Sequence, residues 1–89
     1  MTRVLKYTLH DHGEALMPLP RGARILSVGD QSGALQLWAL ADDGPLQSRR
    51  FAVLFTGFNE VPYRANFIGT VLSSGGNIVR HVFEILEES

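Results

Sequence analysis

Two short apolar runs around a glycine-bounded turn restrict what this chain can fold into more than any other feature. Ala23-Arg24-Ile25-Leu26-Ser27-Val28 and Ala34-Leu35-Gln36-Leu37-Trp38-Ala39-Leu40-Ala41 flank the polar connection Gly29-Asp30-Gln31-Ser32-Gly33. Glycine at both ends of that connection permits backbone angles that other residues resist, so the stretch reads as a β-hairpin. Its second arm is apolar on both sides, with Leu35, Leu37, Ala39 and Ala41 on one face and Gln36, Trp38 and Leu40 on the other. Such a strand is expected either at the doubly covered centre of a fold or with one face reserved for a partner.

The remaining segments have the same character. Residues 4–9 alternate, placing Leu5, Tyr7 and Leu9 opposite Val4, Lys6 and Thr8, as in a half-buried strand. After the polar turn His10-Asp11-His12-Gly13, residues 14–17 form a short extended piece that ends at Pro18. Pro18-Leu19-Pro20-Arg21-Gly22 excludes a helix, because each proline locks its own φ and pushes the preceding residue towards extended geometry. Asp42-Asp43-Gly44-Pro45 is a strong turn, and a strand follows in which Phe51, Val53 and Phe55 alternate with Arg50, Ala52, Leu54 and Thr56. Residues 58–64 have no period and read as a loop, and residues 66–72 resume a strand. The turn Ser73-Ser74-Gly75-Gly76-Asn77 leads into residues 78–85, with Val79, His81, Phe83 and Ile85 on one face and Ile78, Arg80, Val82 and Glu84 on the other. β-branched residues at the start of that run favour a strand over a helix. The fold class is therefore all-β: five to six antiparallel strands with no long helix, curled into a small sandwich or partly open barrel.

A chain of 89 residues forms one domain spanning residues 1–89, in which most apolar residues are needed for the core. The longest unbroken apolar runs, residues 37–41 and 51–55, are too short to span a bilayer, and no secretory signal is visible, so a cytoplasmic, non-membrane protein is expected. The absence of cysteine removes disulfides, thiolate zinc sites and a cysteine nucleophile together. A net charge of −1 leaves little general attraction to nucleic acid or anionic lipid.

Several short pieces then fall into a familiar order. Leu19-Pro20-Arg21-Gly22-Ala23, Ile25-Leu26-Ser27-Val28, Leu37-Trp38-Ala39-Leu40, Thr56-Gly57, Ile68-Gly69-Thr70-Val71 and Val79-Arg80-His81-Val82-Phe83-Glu84 resemble a family of small phage and prophage proteins of unknown function. The resemblance runs from Lys6 to Glu84. Phe58 stands where that family often has histidine after Thr-Gly, and Arg80 where it often has an aromatic residue. The resemblance implies a phage or prophage context and supplies no reaction and no catalytic residue.

The residues themselves carry no complete catalytic set. His10 and His12 lie two apart and would need a third ligand such as His81, Asp11 or Glu14 to hold a metal ion; without one at defined spacing they read as turn residues, and no metal or cofactor is expected. His81 could serve as a base, but no nucleophile motif accompanies it, and it reads as a structural histidine. The glycines form no phosphate loop, since none opens a helix after a strand. The expected function is accordingly non-enzymatic: binding of a protein partner or self-association into a homodimer, with Trp38 and Phe58 as leading contact residues. The alternative is a single-stranded nucleic-acid binder, in which Arg49, Arg50, Tyr63 and Arg64 supply the charge and stacking that small β-barrels use.

Overall fold

A computed structural model of the chain describes residues 1–86. Among them are seven strands: β1 (Arg3–Thr8), β2 (Gly13–Pro20), β3 (Arg24–Gln31), β4 (Ala34–Ala41), β5 (Leu46–Phe55), β6 (Ala65–Ser73) and β7 (Ile78–Ile85). They form two antiparallel sheets, a three-stranded one in the order β1-β4-β3 and a four-stranded one in the order β2-β5-β7-β6. The sheets pack as a sandwich rather than closing into a barrel, and the shortest Cα dimension of 15 Å suits two layers.

The β3-β4 hairpin forms, with a tighter turn than its composition suggests. Both strands continue inward until Gln31 pairs with Ala34, leaving only Ser32 and Gly33 between them, each at positive φ. That signature belongs to the two-residue hairpin turn whose twist matches the strands it joins. The segment expected to be a short piece ending at Pro18 is a full strand, β2, which runs through both prolines. This is sterically permitted because β2 is an edge strand pairing only with β5. Pro18 and Pro20 are two apart, so their nitrogens point to the same, outward side, where no ladder donor is needed.

The core is the space between the sheets. β1 contributes Leu5 and Tyr7, with Leu9 just beyond it; β4 contributes Leu35, Leu37, Ala39 and Ala41; β3 contributes Ile25 and Val28. The facing sheet contributes Met17, Leu19, Phe51, Val53, Ile68, Val71 and Val82. Burying a side chain the size of Phe51 stabilises by about 1.5–3 kcal/mol relative to leaving it exposed. β3 and β6 approach each other closely at Gly69, where a Cβ would lie 3.0 Å from Val28 Cγ2.

The pairing decides which faces of β4, β5 and β7 are covered. The strand covered on both sides is β5, where the consecutive residues Phe51, Ala52, Val53 and Leu54 are all buried. β4 is central in the three-stranded sheet, but only its Leu35, Leu37, Ala39 and Ala41 face enters the core. Trp38 lies on the outer face, half-buried, with its ring against Gly29, where a Cβ would approach within 3.3 Å. In β7 the more apolar face points out: pairing of Val53 with Val82 puts Arg80, Val82 and Glu84 towards the core and Val79, His81, Phe83 and Ile85 on the outer surface of the four-stranded sheet.

Candidate functional site

The outer face of the four-stranded sheet follows from its ladders, since residues directly opposite each other share a face. Leu16, Arg50 and Ile85 form one row across it, Ala52, Phe83 and Phe67 the next, then Leu54, His81 and Thr70, and finally Val79 and Leu72. Phe67 and Phe83 meet edge to face with ring centroids 5.4 Å apart. Phe67 remains 59% exposed even so, and Leu16 and Leu72 are likewise exposed. The result is a half-open apolar surface.

His81 is the polar point in this surface. Its Nε2 lies 2.6 Å from Thr56 Oγ1 and its Nδ1 lies 2.9 Å from Thr70 Oγ1. A hydroxyl can donate or accept, so both nitrogens stay satisfied whichever one carries the proton. The Thr56 contact has the length of a nucleophile–base pair, but the place of an orienting carboxylate is taken by the Thr70 hydroxyl. The arrangement fixes the imidazole ring between β5, β6 and β7.

The connection from β5 to β6 passes beside this face, because β7 lies between the strands it joins. Asn59 Oδ1 accepts the Phe55 N–H at 3.0 Å, folding the chain back after Gly57, and the Leu86 N–H donates to the Arg64 carbonyl at 2.8 Å at the far end. Two clefts flank the end of β5. One of about 600 Å³ is lined by Phe55, Phe58, Ile78 and Val79, and one of about 280 Å³ by Leu54, Asn59, Val61, His81 and Phe83. Thr56 lines both.

The residues expected to make contact are distributed over three regions. Phe58 and Tyr63 stand on the β5-β6 connection, 88% and 87% exposed, beside the apolar face. Trp38 is on the outer face of the other sheet, where Lys6 Nζ donates to Gln31 Oε1 and Thr8 Oγ1 to Gln36 Oε1. Arg49 and Arg50 point to opposite faces of β5. Arg49 is held at one end of the sandwich interior by Glu84, with Nε–Oε2 at 2.6 Å and Nη2–Oε1 at 2.7 Å, and by the Ala23 carbonyl. Arg49 therefore faces away from Arg50 and does not join it in one basic aromatic strip. His10 Nε2 is taken by the Gly13 carbonyl at 2.7 Å, and no cluster of three potential metal ligands occurs among the described residues.

Phe67, Phe83, Leu16 and Leu72 were not expected as surface residues. The signal for them was the surplus of apolar residues on one face of residues 78–85, more than a two-layer core has room for.

Fold and surface together define an all-β sandwich with one polar-decorated and one apolar outer face. The chain belongs to the family described as a domain of unknown function (DUF7352), which matches residues 1–89. No curated protein and no solved structure matches it. Among the described residues no helix is long and apolar enough to cross a membrane.

Proposed function

We propose that this chain is a non-catalytic protein-binding module that associates through the outer face of its four-stranded sheet, in the first instance with a second copy of itself. The observation that carries the reading is the exposure of Phe67, Leu72 and Leu16 on this face, with Phe83 packed against Phe67, and of Phe58 and Val61 on the adjoining connection. Contiguous exposed aromatic and aliphatic side chains on a small domain mark interaction surfaces, and aromatic residues dominate the energy of such contacts. The resemblance of its ordered motifs to those of small phage and prophage proteins supports an accessory role in the cytoplasm of an infected or lysogenic host.

Light scattering coupled to gel filtration across a concentration series tests the proposal. Dimer that falls apart on Phe67→Asp, with the circular dichroism of the sandwich preserved, is the expected result. A monomer at every concentration, with Phe67→Asp indistinguishable from the wild type, overturns the self-association reading.

A further inference from the structure

The interior of the four-stranded sheet holds a second arginine, Arg80, at the end of the sandwich away from Arg49. It is 6% exposed, between Phe55 and Val71 in the ladders, and its single hydrogen-bond partner among the described residues is Ser73 Oγ, 3.0 Å from Nη2. Its Nε–H is buried and unpartnered, and among the described residues no carboxylate lies within ion-pairing distance of the guanidinium. Arg49 uses the equivalent Nε and Nη2 edge to grip both oxygens of Glu84. A buried guanidinium without a counter-charge is costly, and a guanidinium donates readily to the oxygens of a planar or tetrahedral anion.

Arg80 also lines a cleft of about 360 Å³. Three connections meet there, Asp11 from the β1-β2 connection, Gly33 from the β3-β4 turn, and Ser73 at the end of β6 with Ser74 beyond it, beside Phe55 and Ile78. We infer that this cleft is a binding site for a small oxyanion, whose oxygens accept from the Arg80 guanidinium and from the Ser73 and Ser74 hydroxyls. Asp11, exposed on the rim, is of like charge to the ligand and restrains its affinity. The site is distinct from the apolar face and does not depend on self-association.

Inorganic phosphate and acetate, each titrated against sodium chloride of matched ionic strength, are the probes, read by the NMR signals of the Arg80 Nε–H and the Ser73 and Ser74 amides. A saturable shift of these signals is expected, with Asp11→Asn binding several-fold more tightly and Ser74→Gly several-fold more weakly. Saturation by phosphate alone identifies a phosphoryl group as the ligand chemistry, and saturation by both identifies any oxyanion, carboxylates included. Arg80→Met abolishes the response if it folds; if it does not, the two rim variants decide. Shifts that track ionic strength equally in chloride, or an unchanged affinity in both Asp11→Asn and Ser74→Gly, overturn the inference.

Discussion

Arg49 and Arg80 lie on the inner face of one sheet near opposite ends of one sandwich, and only Arg49 meets a counter-charge there. The Arg49 end is closed by the chain itself, through a bidentate pair with Glu84 and a bond to the Ala23 carbonyl that also fastens the β2-β3 connection. The Arg80 end has one serine hydroxyl and an open cleft. Buried charge is tolerated where a partner is built in, and an unmatched one marks where an external group can enter.

The contrast can be broken at either end. Glu84→Ala strands Arg49 and is expected to have the largest effect, about 3 kcal/mol of lost stability in urea unfolding, because removing one member leaves the other charge uncompensated. Replacing both members, as Arg49→Met with Glu84→Leu, should recover most of that loss, and a double variant as unstable as Glu84→Ala would show that the pair is needed for packing rather than charge. Next is Ser73→Ala, which removes Arg80's only hydrogen bond among the described residues and should cost about 1–2 kcal/mol in the same experiment. Arg80→Met is expected to stay within about 1 kcal/mol of the wild type or to exceed it, since an unpaired buried charge is exchanged for an apolar chain of similar length. A loss as large as that of Glu84→Ala would erase the distinction between the two ends. The smallest stability effect is expected for Phe67→Ala, below about 1 kcal/mol at a site more than half exposed when measured at concentrations where the protein is monomeric, and a larger loss in thermal unfolding there would mean that the outer face is part of the monomer's core.

Turn chemistry made the fold class legible before any coordinates. Gly33, Asp42 to Pro45 and Ser73 to Asn77 punctuate the chain at strand-length intervals, and six of the seven strands fall where those turns leave room. β2 was read short because Pro18 and Pro20 forbid a central strand, while nothing local says that this strand lies at an edge. The facing of β7 was illegible for a different reason. Alternation separates Val79, Phe83 and Ile85 from Arg80, Val82 and Glu84, but which set turns inward is decided by pairing with β5 and by partners as distant as Arg49. The same limit applies to the candidate site: Phe58 and Tyr63 are exposed on one connection, whereas Trp38 belongs to the other sheet and Arg49 to the interior.

The prolines of β2 have a consequence for assembly. A free sheet edge is a template on which strands of other copies can add without limit, the route to fibres. Along β2 an incoming strand would meet two outward positions with no N–H to offer, so growth in that direction stops before it starts. Contacts between copies are thereby directed away from this rim, and in the self-association proposed above a self-complementary patch on a broad face would close into a finite two-fold pair.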